Sequence, residues 1–374
     1  MLFNVELVLT TTCNAACPYC YVKGSEHLSI DTFKQSLSKV RAYTQKSGCD
    51  GYTVTFFGGE PLLRFDTLKA VVSVLKADPM CQGLTLTTNG TLLTLEIRDY
   101  LKAEGIGISW SFDGITSTES RKLKSGDIIN TITKNKDLIL SLTHGCKAMV
   151  YPQNCGDLVQ NYEFLKDFGL TDIDFSIVRD DIWCSGSIKV FRRSIYDLKR
   201  LYARDILNNL PISIGFFRLA ILDTIIGLSC GKREFSCFAG VNGCALMPDG
   251  KIYACERFAV DGKFCYDTMS DPFKYRYLYN PKNYHKCRTC MYNAVCNCGC
   301  LHEQLKNGNE PLRCVCDLYK IIFRCTYDLV HELAENQCFR SLVKSWIKFD
   351  LSNFTKPKSP ILNNVYEDLR RVLA

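Results

Sequence analysis

Short apolar runs alternate with longer stretches of helical periodicity over residues 2 to about 180 of this 374-residue chain. The apolar runs predict strands at 3–10, 52–57, 84–88, 106–112, 147–151 and 172–178. Each run is followed by a plausible helix, such as those at 31–45 and 62–76. This alternation is typical of parallel βα units, so the sequence predicts an α/β fold built from six such units.

Six units fall short of the eight that close a TIM barrel, so we expect a partial (β/α)6 TIM-like barrel, open along one side. In such folds, function lies at the carboxyl ends of the strands. Polar or glycine-rich clusters occupy four of these ends: the loop from Cys13 to Cys20, Gly58-Gly59-Glu60-Pro61, Thr88-Asn89-Gly90 and Ser111-Phe112-Asp113-Gly114. We therefore expect one functional face.

The βα pattern stops near residue 189, and cysteine density rises from Ser229 onward. We expect four segments: the barrel at 1–188, a helical linker at 189–228, a small cysteine-rich domain at 229–328 and a C-terminal helical cap at 329–374. The cap contains a polar break at 356–360 and a last short helix at 363–373. No run of about 18 apolar residues occurs in the sequence, so we expect no contact with the membrane interior.

The formal charge of +7 is modest for this length, and the lysines and arginines are scattered. Nucleic-acid binding is therefore not expected, whereas an acidic peptide partner fits this charge. The 22 cysteines are too many for chance. A long chain that begins MLFNVELVL, without a cleavable signal, does not resemble a secreted disulfide scaffold, so we expect reduced, metal-ligating cysteines in a cytoplasmic protein.

Cys13, Cys17 and Cys20 follow the first predicted strand with spacers of three and two residues. A short loop of that spacing can present three thiolates to one face of an iron–sulfur cube, which leaves a fourth iron without a protein ligand. An iron with an open position can bind and activate a small molecule. A structural zinc loop is the alternative, although zinc normally takes four ligands.

This loop, with Tyr19 just before its last cysteine, resembles the signature of the radical S-adenosylmethionine (SAM) superfamily. Gly58-Gly59-Glu60-Pro61 resembles the superfamily motif that receives the amino group of the methionine moiety. The resemblance implies that the two glycines let the main chain approach SAM and that Glu60 neutralises its ammonium group. It further implies SAM contacts at four polar positions: Thr88, Asn89, Ser111 and Asp113. Asn-Gly and Asp-Gly are also ordinary turn formers, which is the alternative for Asn89 and Asp113.

The cysteine-rich segment resembles the SPASM extension of peptide-modifying and protein-modifying radical SAM enzymes. The resemblance rests on the spacing Cys287-x2-Cys290-x5-Cys296-x3-Cys300, followed by Cys316 and preceded by Cys237, Cys244 and Cys255. It implies two auxiliary [4Fe-4S] clusters, one on Cys237, Cys244, Cys255 and Cys300, the other on Cys287, Cys290, Cys296 and Cys316. Cys298 or Cys314 is an alternative to one of these ligands, and a pair of zinc knuckles is an alternative to the clusters.

Glu256 directly follows Cys255, and the resemblance to sulfatase-maturing enzymes implies that a carboxylate here takes a proton from the substrate. A surface ion-pair residue beside Arg257 is the alternative. The remaining cysteines, among them Cys184 and Cys325, lack ligand spacing, and we expect buried small side chains at these positions.

The resemblance implies an oxidoreductase with three [4Fe-4S] clusters, one of them SAM-binding and two auxiliary. With an external one-electron reductant of the flavodoxin or ferredoxin type, it would cleave SAM to a 5′-deoxyadenosyl radical. We expect a peptide or protein substrate, oxidised in ribosomal peptide (RiPP) maturation to form a thioether or carbon–carbon crosslink.

Two alternatives are formation of formylglycine in a sulfatase, which shares every motif above, and a multi-cluster electron-transfer protein. The chain starts almost at its first strand, which leaves no space for an N-terminal leader-binding winged helix. This favours the sulfatase reaction, or a maturase whose recognition module is separate or absent.

Overall fold

A computed structural model of the chain describes residues 1–180, 182–230, 237–273, 285–296, 299–308, 310–348, 351, 354–357 and 359–374. Its strands are β1 (Leu2–Thr10), β2 (Gly51–Gly58), β3 (Cys81–Thr88), β4 (Gly107–Ser111), β5 (Gly145–Val150), β6 (Asp172–Ile177), β7 (Ser213–Ile214), β8 (Gly243–Leu246) and β9 (Ile252–Tyr253). Short 3-10 helices cover Pro61–Arg64, Gly114–Thr116 and Tyr266–Thr268.

The α-helices that precede residue 231 are α1 (Ile30–Lys46), α2 (Phe65–Lys76), α3 (Leu95–Ala103), α4 (Ser117–Ser120), α5 (Ile128–Lys134), α6 (Lys136–Leu140), α7 (Leu158–Phe168), α8 (Ser185–Leu207) and α9 (Gly215–Cys230). Those that follow are α10 (Glu256–Val260), α11 (His285–Arg288), α12 (Leu301–Lys306), α13 (Arg313–Leu333), α14 (Gln337–Trp346) and α15 (Pro360–Leu373).

All six predicted strands are present as β1 to β6, with ends within three residues of the predicted ones. The helix predicted at 31–45 is α1, which begins after an N-cap serine: Ser29 accepts a hydrogen bond from the backbone N–H of Thr32. The helix predicted at 62–76 is instead a 3-10 turn, Pro61–Arg64, followed by α2. The last predicted helix, 363–373, is α15.

The chain forms two compact units. The first contains residues 1–112, 117–146 and the described part of 237–279, and the second contains 113–116 and the described parts of 147–236 and 280–374. The predicted bounds at 188, 228 and 328 divide the chain differently and stay a prediction. Residues 189–228, predicted as a helical linker, lie in α8, β7 and α9 of the second unit.

The sheet of the first unit has the strand order β4-β3-β2-β1-β8-β9. Neighbouring strands run parallel except for β8 and β9. β8 pairs with β1 from Asn4 opposite Gly243 to Leu7 opposite Leu246. A strand from the cysteine-rich segment therefore extends the sheet, which sequence reasoning did not predict because β8 is only four residues long.

The core of the first unit lies on both faces of β1. Its burial alternates up to Leu7, and from Leu7 to Thr10 every residue is buried. Such continuous burial is expected where helices cover both faces of a parallel sheet. Phe33, Leu37 and Val40 of α1 are among the buried residues of this unit. Because β1, β2 and β3 run parallel, their carboxyl ends lie at one edge of the sheet.

β5, β6 and β7 are neighbours in that order, and the second unit contains β5 from Lys147 onward, β6 and β7. Helices α7, α8, α9 and α13 belong to the same unit. α8 packs against α13: the Cys325 thiol donates to the Ile195 carbonyl at 3.6 Å, and Lys199 pairs with Glu332 at 2.6 Å. The interface between these two helices is thus fixed by buried and surface contacts together.

The cysteines without ligand spacing differ in burial: Cys81 and Cys338 are only half-buried, contrary to the prediction, and the side chain of Cys230 lies outside the described residues. Burial is as predicted at five of them: Cys49, Cys146, Cys155, Cys265 and Cys325. The prediction is wrong for Cys184, which is exposed. Its sulfur accepts the N–H of Ser187 at 3.4 Å and caps the first turn of α8, so it satisfies a backbone donor instead of packing in the core. The described helices include none that is long and apolar enough to cross a bilayer.

Candidate active site

The loop that carries Cys13, Cys17 and Cys20 is held by backbone hydrogen bonds on both sides. Ala16 N–H donates to the Lys122 carbonyl at 2.8 Å, and Lys124 N–H donates to the Asn14 carbonyl at 2.9 Å. Within the loop, Cys20 N–H donates to the Cys17 carbonyl at 3.1 Å, which closes a turn. The three thiols therefore sit on one constrained segment directly after β1.

The three thiols are all partly accessible. Burial raises the pKa of the Cys13 thiol, and the neighbouring Glu60 carboxylate raises it further. No group of three or more His, Cys, Asp or Glu side chains among the described residues is arranged to hold a single metal ion.

The donor set fits a cluster held by three thiolates, since partly accessible sulfurs on one short loop can ligate iron and leave one iron open. A bound cluster would reverse the pKa shift, because coordination deprotonates a thiol. The structure thus supplies three soft ligands on the predicted segment, at the predicted strand end.

Gly58 and Gly59 follow β2 and lie against the backbone that leads into the cysteine loop. Gly59 N–H donates to the Thr10 carbonyl at 2.8 Å, and Glu60 N–H donates to the Thr12 carbonyl at 2.9 Å. A Cβ on Gly58, where φ is +141°, would lie 2.2 Å from the Thr10 oxygen, and one on Gly59 would lie 2.1 Å from the Thr12 oxygen. Glycine is therefore required at both positions, because the backbone of Thr10 and Thr12 leaves no room for a Cβ atom.

Glu60 is 1% exposed, and both of its carboxylate oxygens are hydrogen-bonded. Oε1 accepts Leu62 N–H at 3.1 Å and the Thr88 hydroxyl at 2.8 Å, and Oε2 accepts Asn89 N–H at 2.8 Å. Burial raises the pKa of Glu60 in spite of these bonds. Pro61 starts the 3-10 turn that Glu60 caps. The hydrogen bonds of Glu60 join the ends of β2 and β3. Its pairing with the ammonium group of SAM stays a prediction.

We expect Glu60→Gln to lower the free energy of unfolding by about 1–3 kcal/mol, the usual cost of an unsatisfied buried donor. In glutamine, one of the two oxygens is replaced by an NH2 group. This donor must face either the Leu62 N–H and the Thr88 hydroxyl or the Asn89 N–H, which are themselves donors. Urea unfolding measures the change. Glu96→Gln, at an exposed position in the first turn of α3, is the control and should change stability by less than about 0.5 kcal/mol. Equal stability of both variants would contradict the structural role of Glu60.

Asn89 connects the Glu60 network to the cysteine loop. Its Nδ2 donates to Asn14 Oδ1 at 2.9 Å, and Asn14 Nδ2 donates to the Thr91 hydroxyl at 2.9 Å. Asn14 and Thr91 are site residues that sequence reasoning missed. Their positions, inside the cysteine motif and one residue after the Asn89-Gly90 turn, were the available signal.

The other predicted SAM contacts have separate surroundings. Tyr19 is half-buried, with the Arg121 guanidinium 5.7 Å from its ring centroid. Ser111 is the half-buried last residue of β4. Asp113 belongs to the second unit, is 1% exposed and accepts the N–H of Met149 at 2.7 Å. The structure therefore gathers Thr88 and Asn89 around Glu60, whereas the SAM contacts of all these positions stay predictions.

Glu256 begins α10 in the first unit, directly after Cys255. Its Oε1 accepts the hydroxyl of Tyr21 at 2.5 Å, and its Oε2 is buried without a hydrogen-bond partner among the described residues. Burial and the charges of Glu256 and Glu6 raise the pKa of Tyr21 well above its usual value, so the phenol stays a donor. Arg257 lies over the Tyr21 ring at 4.9 Å. Tyr21, one residue after Cys20, escaped sequence reasoning because the pairing spans 235 positions.

Three predicted auxiliary ligands of the first unit share the neighbourhood of Tyr266. Burial and then the thiols of Cys244, Cys255 and Cys237 raise the pKa of Tyr266 well above its usual value. The Tyr266 hydroxyl donates to the Gly243 carbonyl at 2.9 Å, which fixes it beside Cys244. The fourth predicted member of this set, Cys300, belongs to the second unit and is the N-cap residue of α12.

The other four predicted auxiliary ligands, all in the second unit, line one cavity of about 60 Å³. They are Cys287, Cys290, Cys296 and Cys316. Burial and the neighbouring thiols raise the pKa of Cys316 to about 12. Cys314 is not among the described residues that line this cavity. Cys298, the other alternative, lies outside the described residues. Four thiols around one small space fit the donor set of an iron–sulfur cube.

Residues 7–142 match the family model of the Radical SAM superfamily. The chain carries a radical SAM domain. Its matched range contains the cysteine loop, the Gly58–Gly59 turn with Glu60, and the polar positions from Thr88 to Asp113. Glu256 and the eight cysteines assigned to auxiliary clusters lie beyond it.

Among curated relatives, the radical SAM cyclopropyl synthase TigE of Paramaledivibacter caminithermalis is 23% identical over 372 residues, which cover 86% of this chain and 73% of TigE. A probable GTP 3′,8-cyclase of Methanocella arvoryzae is 32% identical over 103 residues, only 28% of this chain and 31% of that protein. The similarity to TigE thus extends well past the radical SAM domain.

Two solved proteins share the fold. Native anSMEcpe with bound AdoMet has a TM-score of 0.71 and 17% identity, covering 87% of this chain and 98% of that one. Streptococcus suis SuiB bound to its precursor peptide SuiA has a TM-score of 0.52 and 15% identity, covering 82% and 73%. The predicted fold class, a partial TIM-like barrel with a cysteine-rich region after the radical SAM domain, is confirmed.

Proposed function

We propose that this chain is a radical SAM enzyme that oxidatively modifies a peptide, as a ribosomal peptide maturase that forms a thioether or carbon–carbon crosslink. The observation that carries the proposal is the three-thiol loop bound to the Gly58–Gly59 turn, together with a second set of four thiols around one cavity. Solved proteins of this fold contain bound peptides: anSMEcpe with the Cp18Cys peptide and SuiB with SuiA.

Cys13, Cys17 and Cys20 would hold a [4Fe-4S] cluster, which together with SAM would supply the radical chemistry needed to take hydrogen from an unactivated carbon. The residues of the chain fix the geometry around it. The hydrogen bonds from Gly59 and Glu60 to Thr10 and Thr12 hold the start of the loop. The buried Glu60 carboxylate fixes the Thr88–Asn89 turn, and Asn89 holds Asn14 within the loop.

We further propose that the two auxiliary cluster sites are Cys237, Cys244, Cys255 and Cys300, and Cys287, Cys290, Cys296 and Cys316. The convergence of three of the first set on Tyr266 and of the whole second set on one cavity supports this assignment. We propose Cys316 over Cys314 because only the former lines that cavity among the described residues. An external one-electron reductant of the flavodoxin or ferredoxin type completes the proposed system.

Glu256 is the proposed proton acceptor, and Tyr21 is the residue that positions it. The Tyr21 hydroxyl occupies Oε1, which leaves the buried Oε2 as the atom that would receive a proton from substrate. The alternative role of Glu256 as a surface ion-pair residue has less support, because its Oε1 accepts a hydrogen bond from the half-buried Tyr21.

The proposed function is tested with reconstituted protein, SAM, dithionite and candidate short peptides, including any encoded beside its gene. We expect peptide-dependent formation of 5′-deoxyadenosine and loss of two hydrogen atoms from the peptide, measured by mass spectrometry. Formylglycine formation would instead be identified by an aldehyde at the modified residue, with sulfur replaced by oxygen if that residue is a cysteine and with loss of two hydrogen atoms alone if it is a serine. Cleavage of SAM that no peptide or protein substrate stimulates would contradict the proposal.

We expect Glu256→Gln to slow peptide oxidation by about a hundredfold, the scale of general-base catalysis, with SAM cleavage changed less than about twofold. Tyr21→Phe keeps the carboxylate but removes its donor, so we expect a loss of about tenfold in the ratio of modified peptide to 5′-deoxyadenosine. Tyr100→Phe, a half-buried tyrosine that packs on Phe65, is the control and should keep the ratio unchanged. Equal slowing of both reactions by Glu256→Gln would contradict its role as the base.

A further inference from the structure

A groove of about 1060 Å³ lies between α8 and α13 in the second unit, and basic side chains surround it. α8 contributes Lys189, Arg192, Arg193 and Arg200, and α13 contributes Lys320 and Arg324. Residues three, four or seven positions apart share one face of a helix. Both helices therefore turn a cationic face toward this space, which we call the α8–α13 groove.

The three acidic residues of the groove already have partners. Asp197 pairs with Arg200, Asp317 pairs with Lys320 at 3.4 Å, and Asp328 accepts the Tyr196 hydroxyl at 3.1 Å. The other four cations are exposed and form no ion pair with any described residue: Lys189, Arg192, Arg193 and Arg324. A concave surface with like charges concentrates the field and attracts an anionic partner.

The groove also offers apolar contacts. Met291 is 52% exposed, Ile188 is half-buried, and the buried Tyr292 and Ile321 also line the groove. An exposed methionine adapts to varied side chains. The cationic face of α8 runs from Lys189 to Arg200, about 16 Å at 1.5 Å per residue. This length accommodates about five extended residues or three helical turns.

These features favour a single segment of chain over a folded protein. A segment can enter the groove and contact Ile188 and Met291 while its acidic side chains meet the arginines. A folded acidic carrier would contact the exposed arginines and leave the apolar residues untouched. Tyr292 and Lys320 also line the cavity of Cys287, Cys290 and Cys296, so a segment in the groove would lie beside these thiols.

We propose that the α8–α13 groove binds an acidic, partly apolar segment of the peptide substrate. The identity of the segment as substrate rests on the proposed function, whereas the binding can be measured without turnover.

The test uses full-length reconstituted protein and a fluorescein-labelled peptide made of four copies of the tetrapeptide Glu-Ala-Leu-Glu. Anisotropy should show binding that weakens with added salt. Simultaneous replacement of Arg192, Arg193 and Arg324 by glutamate should raise the Kd at least about tenfold. The matched control replaces three exposed lysines of the first unit, Lys34, Lys102 and Lys134, by glutamate, and should change the Kd less than about twofold. No binding, or equal weakening in both variants, would overturn the proposal.

The Ile188→Ser variant distinguishes binding of a peptide segment inside the groove from binding of a folded protein at the rim of the groove. We expect a rise in Kd of about threefold, because the segment loses an apolar contact. An unchanged Kd, together with displacement of the probe by an acidic flavodoxin, would identify a carrier site and overturn the proposal.

Turnover assays distinguish this inference from the proposed function. With a peptide that the enzyme modifies, the arginine-to-glutamate variant should raise KM at least about fivefold while SAM cleavage without peptide stays unchanged. An unchanged KM would overturn the proposal that the groove binds substrate and would leave the proposed function intact. Salt-sensitive binding of the probe in a protein that modifies no peptide would support the groove chemistry and contradict the proposed function.

Discussion

Replacement of Cys13, Cys17 and Cys20 by alanine is expected to abolish reductive cleavage of SAM, a loss of at least about a hundredfold relative to the unaltered protein. The three thiols are the ligands available on the loop that follows β1, and no exposed carboxylate or imidazole in the predicted motif replaces them. After anaerobic reconstitution, iron should fall from about twelve to about eight per chain, because three cubes become two. Chromatography of 5′-deoxyadenosine and a colorimetric iron assay measure both quantities.

The control replaces Cys81, Cys184 and Cys338 by alanine. These cysteines are half-buried or exposed and lack ligand spacing, so both the iron content and the cleavage rate should stay unchanged. Continued SAM cleavage in the first variant would refute the assignment of the loop. Iron that saturates near four per chain in the unaltered protein would remove the auxiliary sites and keep the loop.

We expect Gly59→Ala to lower the free energy of unfolding by about 2–4 kcal/mol and to abolish SAM binding. The new Cβ would lie 2.1 Å from the Thr12 oxygen and 2.9 Å from the Cys13 nitrogen, and both of these atoms belong to the backbone. A rotamer change cannot relieve such a clash, so the start of the cysteine loop must move. Chemical denaturation and calorimetry with SAM measure the two losses.

Gly83→Ala is the matched control, because its Cβ would meet only the Thr53 methyl group at 3.4 Å, an ordinary contact. Its stability should change by less than about 0.5 kcal/mol. If Gly59→Ala is recovered as insoluble protein and Gly83→Ala is not, the clash is still demonstrated. A Gly59→Ala protein with full stability and SAM affinity would show that the loop tolerates displacement.

The sequence predicted what local patterns determine. The six strands follow from apolar runs of fitting length, and the cysteine loop follows from spacing within eight residues. Cys287, Cys290, Cys296 and Cys316 do line one cavity, whereas their assignment to an auxiliary cluster, which the family resemblance implied, stays a prediction. The helix at 62–76 was predicted one turn too long, since the Glu60 cap and Pro61 favour a 3-10 start.

Contacts between distant positions were beyond the sequence. β8 is a four-residue strand whose pairing with β1 joins positions about 240 residues apart, and the Tyr21–Glu256 bond joins positions 235 apart. The glycine turn shows a different limit. The sequence identified Gly58 and Gly59, but it could not show that the backbone of Thr10 and Thr12 is what excludes a side chain there.

The pairing of β8 with β1 makes the cysteine-rich segment part of the barrel's own scaffold. A fragment that stopped before residue 237 would leave one margin of β1 with bare amide and carbonyl groups, the kind of surface that recruits other chains into aggregates. Domain-exchange engineering of this protein must therefore retain the Gly243–Leu246 strand, even when every thiol that follows it is replaced.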